Sequence, residues 1–366
     1  MPAVPVTLPH HRYDVVIEPG GLEGLGARVR AVAPAPAAFL VFDRALEASH
    51  LPGVRASLES AGFETTCVPF AGGEENKTLA TVHGLYDVLL ERRFERRAPV
   101  IALGGGVLGD TVGFAAATYL RGVPFVQCPT TLLAMVDSSV GGKVGVNVPQ
   151  GKNLIGAFHQ PVLVVADPRA LRTLPARELR CGLAECIKHA LIRDPALFEW
   201  TRAQMPRLLA LEPDSLVQLV ARNVAIKAAV VIEDEKETGV RAHLNLGHTF
   251  AHAIEATVGY GRVLHGEAVG LGLLAAATLA ADVGLAAPGL RAEVEDVVAR
   301  AGLPRRTELP ADARLAEAMA LDKKVASGRI RFVLPERVGS VVIRDGVAPE
   351  AVSRAWASIR NGRRDA

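Results

Sequence analysis

Four of the ten histidines fall within a short stretch of the second half of the chain, at His243, His248, His252 and His265. His248 and His252 are one helical turn apart, and neutral imidazole is a good ligand for zinc-like ions. Spacing alone would pair these two histidines with a nearby carboxylate, Glu255 or Glu267. The alternative is a group of core histidines that bind no metal.

The residues around two of these histidines favour the metal site. Gly247-His248-Thr249 and Leu264-His265-Gly266-Glu267 each open a predicted helix, so both imidazoles can point into one cleft. Upstream, Glu185 and Lys188 share one helical face, although a surface ion pair would have the same spacing. We therefore predict a metal site, and spacing alone does not say which histidines bind.

A glycine-rich segment between a strand pattern and a helix pattern predicts a second site. Val100–Leu103 runs into GGGVLGD at 104–110, where Gly104, Gly106 and Gly109 satisfy GxGxxG. Glycine lets backbone N–H groups approach a phosphate, and a helix N-terminus adds partial positive charge. The next strand ends without a ribose-binding acid, whereas an earlier strand ends at Asp43. A nucleotide cradle and a plain tight turn both remain open.

Composition excludes several classes of protein. The chain has 366 residues, which is typical of two domains, and a net charge of +2 without a dense basic run. Aromatic residues make up only 5%, which disfavours a protein that stacks single-stranded nucleic acid. Four cysteines without a CxxC pair indicate neither a disulfide framework nor a thiolate zinc site.

The N-terminal sequence lacks the basic and apolar regions of a signal peptide. The longest apolar run, Ala268–Ala281, is too short to cross a bilayer. We expect a cytoplasmic protein with no membrane or nucleic-acid partner.

The elements that carry these residues change in character near residue 170. Before it, short β-rich runs alternate with helical patterns such as Asn76–Arg97 and Asp110–Tyr119. The predicted strands are Tyr13–Ile17, Phe39–Phe42, Phe63–Val68, Val100–Leu103, Phe125–Cys128 and Val162–Val165. Such alternation is typical of a parallel sheet covered on both faces.

After residue 170 helical spacing dominates. The predicted helices are Arg177–Ile192, Ser215–Ile232, His248–Val258, Glu267–Val283 and Ala292–Ala301. Two short strands are predicted late, at Ile330–Leu334 and Val341–Ile343. We predict an α/β domain over residues 1–170 and a mainly helical domain over 171–366.

The chain resembles the 3-dehydroquinate synthase family, one of the sugar phosphate cyclases, over nearly its whole length. The motifs that carry the resemblance are GGGVLGD at 104–110, YLRG at 119–122, PTTLLAMVDSSVGGKVGVN at 129–147, GKNLIGAF at 151–158, GLAECIKHALI at 182–192, RAHLNLGHTFAHAIE at 241–255, LHGEAVGLG at 264–272 and DKK at 322–324. Their number and order make a chance match implausible.

The resemblance implies a Rossmann-like NAD-binding domain, a helical metal-binding domain and a homodimer. It implies a lyase of the shikimate pathway that converts a phosphorylated sugar acid, 3-deoxy-D-arabino-heptulosonate 7-phosphate (DAHP), into 3-dehydroquinate and phosphate. The implied steps are transient oxidation by NAD, phosphate elimination, re-reduction and intramolecular aldol closure. The implied metal is zinc, or cobalt.

Carried over motif by motif, the metal ligands are Glu185, His248 and His265, and His252 lines the substrate pocket instead. The implied catalytic residues are Lys143, Lys188, His252, Asp137 and Asn153. The implied substrate contacts are Arg121, which reaches a neighbouring subunit, Lys143, Lys152, Asn153, Lys188, Lys227, Arg241, Asn245, His252, Lys323 and Lys324. The implied NAD contacts are Asp43, Glu74, Lys77, Gly105, Gly106, Val107, Asp110, Thr130, Thr131, Asp137, Lys143, Lys152, Leu171, Arg172 and Thr173.

Three rival functions are weighed against this one. A metal-dependent glycerol or alcohol dehydrogenase would have Ser at the position of Val107 and Asp at that of Glu185. Sister sugar phosphate cyclases are harder to exclude, but many use substrates without a carboxylate, so Lys227 and Arg241 favour DAHP. A non-catalytic nucleotide-binding protein would have lost reacting groups, and all of them are present.

Overall fold

The computed structural model describes residues 3–259, 262–321, 325–326 and 329–361. The strands are β1 (Ala3–Leu8), β2 (His11–Ile17), β3 (Ala37–Asp43), β4 (Glu64–Phe70), β5 (Val100–Gly104), β6 (Phe125–Pro129), β7 (Lys143–Val148), β8 (Gly151–Phe158), β9 (Leu163–Ala166), β10 (Val325–Ala326), β11 (Arg329–Ile330), β12 (Phe332–Arg337) and β13 (Ser340–Arg344). The helices are α1 (Leu25–Val32), α2 (Leu51–Ser60), α3 (Leu79–Glu91), α4 (Gly106–Thr118), α5 (Ala176–Arg193), α6 (Pro195–Leu209), α7 (Pro213–Glu233), α8 (His248–Val258), α9 (His265–Asp282), α10 (Gly289–Arg300), α11 (Asp312–Leu321) and α12 (Pro349–Ile359).

The chain divides into two compact units. The first comprises Met1–Pro175 and Pro213–Lys236, and the second comprises Ala176–Glu212 and Glu237–Ala366. The predicted boundary at residue 170 lies close to the first break. The structure differs in placing α7 with the first unit, where it packs against β1 and the helical turn Ala134–Ser138. A single boundary drawn along the sequence cannot show that a later segment, Pro213–Lys236, rejoins the first unit.

The first unit is built on a seven-stranded sheet in the order β1-β2-β9-β6-β5-β3-β4. Only the β1–β2 pair is antiparallel, and the other pairs are parallel. Every residue of β5, β6 and β9 is buried, as expected for central strands covered on both faces. All six predicted strands of this half are present. The predicted fold class, a parallel α/β unit followed by a helical one, is confirmed.

Several elements of the first unit were not predicted. They include β1, the helices α1 and α2, and an antiparallel hairpin of β7 and β8 that stands apart from the main sheet. The helix predicted over Asn76–Arg97 is shorter, because the Thr78 side chain caps α3 and Arg93 adopts a left-handed backbone with φ 54°. The helix predicted from Asp110 begins earlier, at Gly106.

The second unit is mainly helical, with the hairpin β12–β13 close to the predicted late strands. Its most buried helices are α5 and α9, and α9 packs against α5, α8, α10 and α12. These contacts bring the first turns of α8 and α9 near the middle of α5, which positions the predicted metal ligands.

By length and composition alone, α7 is apolar enough to cross a membrane. In the structure 61% of its apolar window is buried, as in the core helix of a globular protein. This helix is therefore only weak support for a membrane span.

Candidate functional site

Three helices of the second unit each contribute one side chain to a candidate metal centre. Glu185 lies in the middle of α5, His248 is the first residue of α8, and His265 is the first residue of α9. Gly247, just before α8, has φ +77°, a backbone conformation that side-chain-bearing residues rarely adopt. The sharp turn at this glycine lets α8 begin directly at His248.

The ligand atoms of these three residues lie within 4.8 Å of one another. Glu185 Oε1 is 3.6 Å from His248 Nε2 and 3.4 Å from His265 Nε2. One carboxylate and two imidazoles form a donor set that suits zinc and similar divalent ions. These are the residues to which the resemblance assigns the metal.

Hydrogen bonds orient both imidazole rings. His248 Nδ1 lies 3.1 Å from the backbone carbonyl of Leu246, and because a carbonyl only accepts, Nδ1 must carry the proton. The Nε2 atom, which faces Glu185, is then the ring nitrogen through which a neutral His248 would bind a metal ion. His265 Nδ1 lies 3.3 Å from Glu255 Oε2.

The protonation of His265 reflects its two carboxylate neighbours. Burial opposes protonation, but the hydrogen bonds to Glu185 and Glu255 outweigh it and raise the pKa of His265 to about 10. A cation bound at Nε2 would replace this proton, so metal binding and proton release are coupled here. The side chain of His265 is 37% exposed, which leaves one side of the centre open.

Two cations predicted to bind substrate are buried in the second unit. Lys188, one turn along α5, forms an ion pair with Glu185 and is itself only 1% exposed. Arg241 is also buried in this unit. Charged groups so far from water require oppositely charged or hydrogen-bonding partners, so their positions are tightly constrained.

Four further residues of this unit were predicted to contact the substrate, and two of them lie among the described residues. His252 is one turn after His248, with ring centroids 5.5 Å apart and nearly perpendicular planes. Asn245 Nδ2 donates to Glu237 Oε1 at 3.1 Å. Lys323 and Lys324 lie outside the described residues.

The glycine segment of the first unit forms the turn between β5 and α4. Gly105 precedes the helix, and no side chain caps its first turn. A Cβ atom on Gly105 would lie 3.2 Å from Thr131 Cγ2, and one on Gly106 would lie 2.8 Å from Ser138 Oγ. A side chain at either glycine would crowd its neighbour, and the N–H groups at this helix start, which no side chain caps, suit an anion.

Neighbouring strand ends bring further predicted residues to this turn. Thr130 and Thr131 follow β6, and the Thr130 N–H donates to the Gly104 carbonyl at 2.9 Å. Asp43 ends β3 and accepts from the Ala45 N–H at 3.0 Å. Because β3, β5 and β6 are adjacent and parallel, their carboxyl ends meet at one edge of the sheet.

A second group of predicted NAD residues is held together by polar contacts. Lys77 Nζ is 2.6 Å from Asp110 Oδ2, and Lys77 is 4% exposed. Burial raises the pKa of Asp110, and the neighbouring Lys77 ammonium opposes this shift. The Asn147 side chain donates to Glu74 Oε1 at 2.8 Å and so ties the β7–β8 hairpin to this group.

The hairpin carries three predicted residues: Lys143 and Asn153 are exposed, and Lys152 is half-buried. Lys227, on α7, lies 2.7 Å from Asp137 Oδ1 in the same unit. Arg241 belongs to the second unit, so the predicted carboxylate contacts are divided between the units.

Two further predicted segments lie elsewhere in the first unit. Leu171, Arg172 and Thr173 lie in the turn Pro168–Thr173, where the Thr173 hydroxyl is 3.1 Å from His50 Nε2. Leu120 and Arg121 have left-handed backbones, with φ 48° and 65°. Strain of this kind is frequently found at functional positions.

Sequence reasoning assigned no role to Asn147 or Glu237. Spacing did identify Glu255, but only as a possible metal ligand. Its contact with His265 joins two helices across ten residues. Helical periodicity relates residues of one helix only, so the sequence carries no signal for this contact.

Comparison with known proteins defines the class. A solved structure of 2-epi-5-epi-valiolone synthase from Streptomyces hygroscopicus, with NAD+ and Zn2+ bound, superposes with a TM-score of 0.89 at 30% identity, covering 96% of this chain and 98% of that one. A 2-deoxy-scyllo-inosose synthase structure, complexed with carbaglucose-6-phosphate, NAD+ and Co2+, superposes with a TM-score of 0.89 at 24% identity. It covers 97% of this chain and 99% of that one, and at this identity it is evidence for the fold alone. The fold is that of the sugar phosphate cyclases.

Sequence comparison identifies the family within the sugar phosphate cyclases. The family model for the 3-dehydroquinate synthase N-terminal domain matches residues 67–181, and that for its C-terminal domain matches 182–325. A 3-dehydroquinate synthase from Synechococcus sp. is 47% identical over 363 residues, covering 98% of this chain and 99% of that protein. The chain belongs to the 3-dehydroquinate synthase family. The predicted family and its lyase activity are confirmed.

Proposed function

We propose that the chain converts DAHP into 3-dehydroquinate and phosphate by using NAD bound at the glycine turn and one divalent metal bound by Glu185, His248 and His265. The observation that carries the proposal is this three-residue cluster with its buried neighbour Lys188, in a chain 47% identical to a 3-dehydroquinate synthase. A rival dehydrogenase would have Ser at the position of Val107 and Asp at that of Glu185.

The ligand set fits a catalytic metal ion. Three protein ligands with one open side are typical of catalytic zinc sites, in which the fourth position is left for substrate. Zinc or cobalt would supply Lewis acidity toward a substrate oxygen. The Zn2+ of the valiolone synthase structure supports zinc as the first metal to test.

The glycine turn fits the diphosphate of NAD. Glycines at 105 and 106 let the turn pack close to Thr131 and Ser138, and the uncapped start of α4 offers N–H donors. When bound, NAD supplies reversible hydride transfer, while the protein supplies orientation and charge. Asp43, Thr131 and the Lys77–Asp110 pair would surround it.

The protein's own cations would hold the substrate, which carries both a carboxylate and a phosphate. Arginine suits a carboxylate, which it can bind in a bidentate manner, and lysine suits a phosphate. We assign the substrate carboxylate to Arg241 and Lys227. We assign contacts at the reacting carbons to Lys143, Asn153, Asp137, Lys188 and His252, with Lys152 and Asn245 as further substrate contacts.

We also propose that two copies of the chain associate in the cytoplasm, with Arg121 of one reaching the substrate of the other. The exposed β8 strand carries Leu154, Ile155 and Phe158, three of the large hydrophobic residues that stand 38–48% exposed in the single chain. Phe158 also lines a shallow groove together with Arg121. Exposed apolar patches of this kind mark association surfaces.

Measurement of phosphate and NADH together tests the function. The purified protein would be given DAHP, zinc and a small fraction of one equivalent of NAD. We expect many equivalents of phosphate without matching NADH absorbance, because the hydride returns in each turnover. One NADH per substrate would instead identify a dehydrogenase.

Two further arms of the same assay identify the substrate class and the role of the metal. A sugar phosphate lacking the carboxylate should react on the order of 100-fold more slowly, since it cannot make the charged contact to Arg241. Equal rates would favour a sister cyclase. Glu185→Gln should abolish phosphate release without loss of the folded state.

A further inference from the structure

The carboxylate of Glu255 is directed at the far side of a candidate metal ligand. Glu255 lies on α8, is 11% exposed, and places Oε2 at 3.3 Å from Nδ1 of His265 on α9. It lies outside the group of three ligand atoms, which consists of Glu185, His248 and His265. It therefore contacts the ligand rather than the ion's position.

The two histidine ligands are supported in different ways. His248 Nδ1 faces the Leu246 carbonyl, a neutral acceptor supplied by the chain two residues earlier. His265 Nδ1 faces a carboxylate supplied by another helix. A carboxylate acceptor fixes the same tautomer as a carbonyl does, but it also makes the opposite nitrogen a stronger donor to a metal.

The position of His265 explains why it needs this support more than His248 does. His248 is largely buried, with an 11% exposed side chain, whereas that of His265 is 37% exposed. A ring packed on all sides keeps its orientation, while a partly exposed ring can rotate about its side-chain bonds. The Glu255 contact restricts that rotation and keeps Nε2 directed toward Glu185.

We propose that Glu255 is a positioning residue for metal binding: it holds the Nδ1–H of His265 so that the Nε2 lone pair faces the metal position. This inference rests on the proposed metal centre. Partners of this kind typically contribute 10- to 100-fold to metal affinity, so we expect a loss of about tenfold or more in Glu255→Gln.

Metal affinity of the full-length protein tests the proposal. Metal-free wild type, Glu255→Gln and Glu255→Asp would be titrated with Zn2+ against a chromophoric chelator, and with Co2+ while recording its visible absorption. Glu295→Gln is the matched control, since Glu295 is a carboxylate of the same unit that pairs with Arg291, 2.8 Å away, and lies outside the ligand group.

We expect Glu255→Gln to weaken Zn2+ binding at least tenfold and to change the Co2+ spectrum. We expect Glu255→Asp to recover part of the affinity and Glu295→Gln to match wild type. Wild-type affinity and spectrum in Glu255→Gln would overturn the role of Glu255 alone. Equal weakening in Glu255→Gln and Glu295→Gln would also overturn it, whereas a wild type that binds neither ion would overturn the metal centre itself.

Discussion

Glu185 connects the groups of the metal centre, because its carboxylate contacts both imidazoles and the Lys188 ammonium. With an exposure of 0%, it depends wholly on these and other protein partners for stabilisation. Truncation to alanine would leave Lys188 as a buried charge without its carboxylate, at a cost of about 3–5 kcal/mol. Glutamine is the better test, since it keeps the shape of the side chain.

Substitution of single ligands distinguishes the assignment of His265 from that of His252. We expect Glu185→Gln, His248→Ala and His265→Ala to lose zinc affinity by on the order of 100-fold or more, because each removes one of three protein ligands. His252→Ala should retain zinc and lose turnover instead. Zinc content after gel filtration measures the outcome, and retention of zinc by His265→Ala would contradict the assignment.

Among the helices, α9 determines how closely the ligand-bearing turns approach. A Cβ atom on Gly272 would lie 2.2 Å from the carbonyl oxygen of Gly247, the residue before His248. A Cβ atom on Gly266 would lie 2.3 Å from the backbone of Cys181 on α5. Backbones approach this closely only where glycine leaves room.

Two glycines on α9 provide a matched pair. Gly272→Ala must displace the Gly247 turn, so we expect a loss of about 1–3 kcal/mol in the free energy of unfolding and weaker zinc binding. Gly270→Ala is the control, because its Cβ would meet Leu303 at an ordinary 3.4 Å and the helix gains up to about 1 kcal/mol. Urea unfolding and zinc titration would measure both, and equal behaviour of the two variants would be inconsistent with this role.

The start of α9 also depends on the charge of Glu267. This carboxylate accepts from the Leu264 N–H at 2.9 Å and pairs with Arg177 through two contacts of 2.7 Å. Burial alone would raise the pKa of Glu267, but the Arg177 and Leu264 hydrogen bonds outweigh it and lower the pKa below its usual range. The ionised form therefore stabilises the helix start.

The lowered pKa of Glu267 predicts how the stability of Glu267→Gln differs from that of wild type as the pH changes. Since the folded pKa is below the unfolded value of about 4.3, the stabilisation is complete above that value and is lost as the pH falls through the folded pKa. We expect the variant to be about 1 kcal/mol less stable at neutral pH, because Arg177 is half-exposed. Urea midpoints of both proteins should converge as the pH falls below the folded pKa of Glu267, and a constant difference would argue against a charge effect.

For the whole molecule, the exposed β8 strand predicts the association state. Phe158→Glu places a charge in the apolar patch, so we expect the protein to elute as a monomer and to lose activity if Arg121 acts across subunits. Leu90→Glu is the control, since Leu90 on α3 is 60% exposed and lies apart from the hairpin in the sequence. Light scattering with gel filtration would measure mass, and an unchanged mass for Phe158→Glu would exclude this surface.

Local sequence was sufficient to predict the strands of the main sheet, because their apolar runs recur between turns. The six predicted strands of the sheet are present because apolar β-branched runs between turns match the burial of parallel strands on both faces. The hairpin β7–β8 was not predicted. Its second strand is largely exposed, and its sequence lacks the alternation of apolar and polar residues from which a half-buried strand is recognised.

The sequence by itself determined the chemical types at the site and, through its motifs, the family and fold class. Helical spacing left His252 and His265 as rival partners of His248, and the motif resemblance selected His265. Only the tertiary structure decided the distances among the three ligand atoms, the contact of Glu255 with His265, and the return of α7 to the first unit. The physical reason is that periodicity determines which face of a helix a residue occupies, while the separation between helices depends on backbone contacts such as Gly272 against Gly247.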